Sequence, residues 1–199
     1  MALTEPIRDP AKVKELLAYY LDLRHFRNQL IITLAIHTAL RISDILRLKC
    51  DDVYDFANRR VRRNITITEQ KTGKSKIIAL HKNVIHALEA YFAQASPGMP
   101  LILNEKTGNA ISRVHAYRII NAAADAIDIP HNVGCHSLRK TFGYHAWQNG
   151  TSPVVIMDIY NHSNFHITQR YIGITQDDKN TAYLELSFLT KSQEYVKSR

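Results

Sequence analysis

A tyrosine nine residues beyond a histidine, His162 to Tyr171, is the spacing in this sequence that points most directly to covalent chemistry. A phenol attacks phosphorus once a neighbour takes its proton, against an ordinary pKa of about 10. His136-Ser137-Leu138-Arg139 supplies candidate partners. On a helix, positions i and i+3 share a face, so this imidazole and guanidinium can meet one target. The guanidinium binds two phosphate oxygens at once, and the imidazole can handle a proton. Arg41 follows an apolar helix and precedes Ser43-Asp44, so it can project from a rigid base with Asp44 close enough to orient it. Lys71 lies in the turn Gln70-Lys71-Thr72-Gly73-Lys74, and a lysine on a hairpin tip can reach into a groove and protonate a leaving oxygen. Each of these side chains alone is commonplace. The order arginine, lysine, His-x-x-Arg, histidine, tyrosine along one chain is not.

Helices must position most of these groups. Asp9-Pro10 is a helix start, with Asp as the cap and Pro at the first turn, and the helix runs to about Arg24. A second, mostly buried helix covers about Arg27 to Ala39. Ser43 and Asp44 are placed to cap a short third one in ISDILRL. The period then changes. Val53 to Phe56, Arg62 to Thr68 and Lys76 to Leu80 are short and β-branched, punctuated by Asn58-Arg59 and the Lys71 turn, which predicts a three-stranded antiparallel meander. Helical patterns resume over about 83–93, 112–127, 137–148, 153–160 and 178–188. The expected fold class is mainly α with one small three-stranded antiparallel β-sheet, an α+β arrangement.

The 199 residues contain no repeat, low-complexity tract or Gly/Ser linker, which predicts a single domain with a core at about 10–176 and a C-terminal helix and tail over 177–199. Lys plus Arg number 26 against 18 Asp plus Glu, a formal charge of +8. The excess is local: Arg59, Arg60, Arg62, Arg63, Lys71, Lys74 and Lys76 face Glu69 alone between positions 59 and 76. Such a run points to a polyanionic partner, nucleic acid first, with Arg59, Arg60, Arg62, Arg63, Lys74 and Lys76 as expected phosphate contacts. No apolar run reaches the roughly 18 residues of a membrane span. MALTEPIRDP lacks the features of a secretory leader, and Cys50 and Cys135 form no CxxC pair, so a reducing, cytoplasmic setting is expected.

Taken together, these motifs resemble the tyrosine recombinases of the phage-integrase type. Thr38-Ala39-Leu40-Arg41-Ile42-Ser43-Asp44 is similar to that family's T-G-L-R-x-S-E/D segment. Glu69-Gln70-Lys71-Thr72-Gly73 is similar to its lysine hairpin. His136-Ser137-Leu138-Arg139 matches H-x-L-R, and His162 with Tyr171 matches L-G-H and the tyrosine nine residues on. The likeness covers roughly residues 10–190, and it implies the family's catalytic-domain fold and roles. Arg41 and Arg139 would clamp the scissile phosphate, and Tyr171 would attack to give a 3′-phosphotyrosyl link. Lys71 would protonate the leaving 5′ oxygen, His136 would be the acid/base partner of the tyrosine, and His162 would hydrogen-bond the phosphate. Asp44 would support the site. The covalent link conserves bond energy, so neither cofactor nor metal is expected. The expected partner is double-stranded DNA, on which a protein monomeric in solution assembles as a tetramer, with no membrane involved. DNA integration and recombination for a mobile element is the implied setting.

Three positions depart from the pattern: Ala39 and Asn161 stand where the family has glycine, and Gly173 where a histidine is common. Asn is the next-best residue for a left-handed backbone. Only 40 residues precede Arg41, so the family's separate N-terminal DNA-binding domain is not expected here, and DNA binding by the chain alone should be weak. Two alternatives share the chemistry or the partner: type IB topoisomerase-like strand cleavage, and a non-catalytic DNA-binding regulator of integration sites. The intact Arg41, Arg139 and Tyr171 argue against the regulator. A β-lactamase reading of Lys-Thr-Gly and Ser137-x-x-Lys140 fails on motif order. His162 and His166 lack the glutamate and third ligand of a zinc helix.

Overall fold

A computed structural model describes residues 4–71, 73–92, 96–174 and 176–186, with the side chains of Asp177 and Ala182 not described. Ten helices and six short strands are found among them: α1 Pro10–Asp22, α2 Phe26–Thr38, α3 Ile42–Ile45, α4 Cys50–Val53, β1 Tyr54–Asp55, β2 Arg60–Val61, β3 Asn64–Thr68, β4 Ser75–Ala79, α5 Lys82–Tyr91, β5 Leu103–Asn104, β6 Asn109–Ala110, α6 Arg113–Ala126, α7 Cys135–Gln148, α8 Pro153–Ile159, α9 Phe165–Ile172 and α10 Gln176–Glu185. No described helix is long and apolar enough to cross a membrane.

The hub is α2. Its residues Leu30 to Ile36 are buried on every side, and it packs against α1, α5 and α7. Asp9 caps α1 as its sequence implies, its carboxylate accepting from Ala11 N at 2.8 Å. A second, smaller apolar cluster joins Ala39, Ile156, Tyr160 and Ile172, with Phe142, Trp147 and Tyr171 against it. This cluster welds α7, α8 and α9 together beneath the catalytic candidates.

The sheet differs from expectation. In place of one three-stranded meander there are antiparallel two-stranded ribbons, β1–β2, β3–β4 and β5–β6. Two backbone bonds explain the break. Arg62 N donates to Val53 O, toward the first ribbon, while Arg63 O accepts from Leu80 N in the second, so the chain changes partner between adjacent residues. The β3–β4 ribbon pairs Ile67 with Lys76 and Thr68 with Ser75. Its loop is closed by Glu69 N to Lys74 O and Gly73 N to Glu69 O.

Ser43 and Asp44 do not cap α3. The helix begins at Ile42, so both residues lie inside its first turn and its N-cap is Arg41, without a side-chain cap bond. The helix predicted over 178–188 begins earlier, as α10, and its last predicted residues, 187 and 188, lie outside the described ones. The short α9, which carries Tyr171, was not expected; Asn164 caps it and Gly173, at φ +66°, ends it.

Candidate active site

All six catalytic candidates line one cleft of about 1360 Å³: Arg41, Lys71, His136, Arg139, His162 and Tyr171. Five cationic side chains face it, these two arginines and Lys71 joined by Lys74 and Arg113, and no carboxylate is among its described lining residues. Arg113, the first residue of α6, carried no motif that singled it out.

The floor is built on main-chain carbonyls at the end of α8. Arg139 is 1% exposed. Its Nη2 donates to Tyr160 O at 3.1 Å, and its Nη1 to Ala39 O. Tyr160 returns the contact, its hydroxyl donating to Arg139 O at 2.6 Å and its ring lying 4.5 Å from the guanidinium. Ala39 presents its carbonyl from a left-handed backbone, φ +55°, which explains why the resembled family favours glycine at this corner. Asn161 is left-handed as well, at φ +52°, and turns the chain from α8 toward His162.

Arg41 is oriented by Glu69 and not by Asp44, which corrects the sequence reading. Its Nη1 donates to Glu69 Oε2 at 2.7 Å, and its Nη2 lies 3.5 Å from Tyr160 O. Asp44, also buried, takes the backbone Gln70 N–H at 3.0 Å instead. The α3 corner therefore grips the hairpin twice, just before Lys71, which is exposed on the tip. Burial works to raise the Glu69 carboxyl pKa. Hydrogen bonds from Lys76 and Arg41, with the Asn161 amide close by, outweigh it and hold the pKa at about 2.

Lys76 is not a surface phosphate contact. It points inward, its Nζ donating to Glu69 Oε1 at 2.8 Å and to Ile159 O at 3.0 Å. The remaining expected DNA contacts separate as well. Lys74 lines the cleft, but Arg59, Arg60, Arg62 and Arg63 line a different depression of about 830 Å³ with Tyr54 and Phe92. The basic run thus splits between two surfaces because β2 and β3 belong to different ribbons.

Both histidines are kept neutral. Burial first, then Arg139 and Arg41, push His162 down to about 4, and its Nδ1 lies 3.0 Å from the buried Thr168 hydroxyl. Burial followed by Arg139 and Lys140 lowers His136, which leaves a free imidazole able to take a proton. Tyr171 sits on α9 among rings, with centroids 4.8 Å from His162 and 5.2 Å from Tyr160, and Lys140 Nζ lies 5.5 Å from its own ring centroid. Two guanidiniums, a lysine on a hairpin, two neutral imidazoles and a phenol around one carboxylate-free cleft can bind a phosphodiester and displace one of its oxygens.

Comparison with known proteins agrees. Residues 9–177 match the family model described as Phage integrase family. The chain is 36% identical over 183 residues to the probable integrase/recombinase YoeC of Bacillus subtilis (strain 168), covering 92% of this chain and 97% of YoeC. It is 30% identical to the tyrosine recombinase XerD of Mycobacterium leprae (strain TN) over 75% of its own length but 48% of XerD, so it spans about half of that relative. Among solved structures, XerH site-specific recombinase bound to palindromic difH substrate, a post-cleavage complex, superposes with a TM-score of 0.71 at 17% identity, covering 92% of this chain and 53% of XerH.

Proposed function

We propose that this chain, which belongs to the phage integrase family, is a site-specific DNA recombinase that cuts and rejoins strands through a 3′-phosphotyrosyl link at Tyr171. The observation that carries the reading is the charge balance under the cleft. Arg41 and Lys76 pair there with Glu69, Arg139 lies within its field, the buried Asp44 sits at the adjoining corner, and no acid is among the described residues that line the cleft itself. A phosphodiester supplies the missing negative charge, and its developing charge during attack falls where the guanidiniums are already fixed. YoeC, a probable integrase/recombinase that the chain covers almost entirely, and XerH, a site-specific recombinase bound to its palindromic difH substrate, support the reading.

In the proposed reaction the Tyr171 phenol loses its proton to His136, and its oxygen attacks phosphorus in line. The bond from phosphorus to the 5′ oxygen breaks as Lys71 gives that oxygen a proton. Arg41, Arg139 and the neutral His162 hold the non-bridging oxygens. Religation runs the steps backward with a 5′-hydroxyl from a second strand. Residues 10–176 form the core of the catalytic domain in this reading, and assembly on DNA uses the C-terminal segment that α10 begins. Tyr183 and Leu184 on α10, and Leu186 just beyond it, are 80%, 84% and 68% exposed, an apolar set that a neighbouring copy in a tetramer would cover.

The test is incubation with nicked duplexes carrying candidate recombination sites. The nick lets the short 5′-hydroxyl strand diffuse away, so a recombinase accumulates as a covalent protein–DNA adduct and exchanges strands between two duplexes. Relaxation of supercoils without exchange would favour the topoisomerase-like alternative. No adduct under any condition would favour the regulator.

A further inference from the structure

Lys76 has no part in the chemistry above, yet its ammonium is held by both a carboxylate and a helix-end carbonyl. It lies on β4 opposite Ile67, five residues beyond Lys71, and its side chain is 16% exposed. One ammonium joins three pieces of structure. It is carried by the second strand of the hairpin. It pairs with Glu69 at the end of the first strand, two residues before Lys71. It also donates to the carbonyl of Ile159, the last residue of α8, after which the chain passes through Tyr160 and Asn161 to His162. The last carbonyls of a helix attract cations, so this end of α8 is a natural anchor. Beyond this tie, the tip holding Lys71 rests on Asp44 through Gln70 N and on Arg41 through Glu69; from the α8 side the Asn161 amide lies close to Glu69, and Arg41 comes within 3.5 Å of Tyr160 O. A buried ion pair is seldom more stabilising than apolar side chains of equal volume, and the best-attested use of one is to fix register between elements.

We infer that Lys76 is a positioning residue that locks the Lys71 hairpin to the end of α8, so that the proton donor and the segment bearing His162 and Tyr171 approach one phosphate in fixed register. The inference rests on the reading of Lys71 as proton donor to the leaving 5′ oxygen. It assigns Lys76 to the interior of the machinery and removes it from the DNA-contacting surface.

The experiment compares adduct formation on two nicked duplexes, one ordinary and one with sulfur in place of the leaving 5′ oxygen. A thiol, with a pKa of about 8.5, departs without a proton, whereas an alkoxide needs one. Lys76→Met keeps the volume and removes the tie. We expect it to cut the oxygen substrate about 10- to 100-fold more slowly than wild type, since a misplaced acid forfeits much of its contribution. On the sulfur substrate it should stay within about threefold, while Lys76→Arg, which keeps charge and donors, stays within about threefold on both. Lys71→Ala should show the sulfur-selective pattern more strongly. Should Lys76→Met fail to melt cooperatively, Lys76→Gln takes its place. Equal losses on both substrates, with wild type active and Lys71→Ala rescued by sulfur, overturn the inference alone. Wild-type protein that forms no adduct on either duplex, or Lys71→Ala without sulfur rescue, overturns the underlying reading and the inference with it.

Discussion

Glu69→Gln should be among the more damaging single-atom changes available in this protein, and its size follows from the geometry. Glu69 is fully enclosed, at 0% exposure, between Arg41 at 2.7 Å and Lys76 at 2.8 Å. Its carboxyl is held at about 2, against an ordinary 4.5. The folded state therefore binds this proton more weakly than the unfolded chain does. The stabilisation is complete above about pH 4.5 and is lost as pH falls toward 2. At about 1.4 kcal/mol per pH unit, the full effect is about 3 kcal/mol at pH 7 and about half of that at pH 3. An independent route gives a similar figure, because removing one partner of a buried ion pair costs about 3–5 kcal/mol. Glutamine imitates the protonated acid, so urea unfolding should show the variant about 3 kcal/mol less stable at pH 7, with a melting temperature roughly 6–12 °C lower. The deficit should shrink to about half by pH 3. A variant within about 0.5 kcal/mol of wild type at pH 7, or a deficit that does not change with pH, would show that the Glu69 ion pairs do not hold the fold together.

Gly143→Ala should strike the same floor from below. A Cβ there overlaps the Tyr160 hydroxyl and comes within 3.0 Å of its Cε2 and Cζ, which forces apart the bond from Tyr160 to Arg139 O. Overpacking together with that lost bond predicts about 2–4 kcal/mol of destabilisation by thermal melting and slower cleavage. Because His162 is neutral down to about pH 4, the rate ratio of wild type to His162→Asn should be the same at pH 5.5 and pH 8, and an inflection between them would contradict the assignment. Strand cleavage should be unchanged in chelator, since in the proposed reaction Arg41, Arg139 and Lys71 provide the charge that metal ions supply to nucleases; loss in EDTA with recovery in Mg²⁺ would count against it.

How far the site was legible in the sequence depended on what each residue needed in order to be recognised. Arg41, Lys71, His136, Arg139, His162 and Tyr171 were found by order and spacing, and the fold brings all six to one cleft. The long helices were readable from apolar runs such as Leu30–Ile36 and from caps such as Asp9. The supports were not. Lys76 looked like another cation of a basic run, and Glu69 like that run's lone acid, because nothing local says that a strand lysine turns inward to meet a helix end more than 80 residues later. Asp44 stood near Arg41 in sequence but spends its carboxylate on Gln70 N, a choice made by the hairpin's position. The meander failed for a similar reason: the partner switch between Arg62 and Arg63 is a tertiary event that strand propensity does not register. The eight-residue α9 was too short for a periodic signal, although Asn164 and Gly173 mark its ends.

The central claim is that Tyr171 is the nucleophile toward DNA. Its most direct test is trapping on nicked duplex with wild type and Tyr171→Phe side by side, together with mass mapping of the DNA-linked peptide and a binding isotherm for each protein. The expected result is a wild-type adduct on the peptide containing Tyr171, none from the phenylalanine variant, and near-equal affinities for DNA. An adduct formed by Tyr171→Phe, or one that maps to the peptide of Tyr160 or Tyr183, would contradict it.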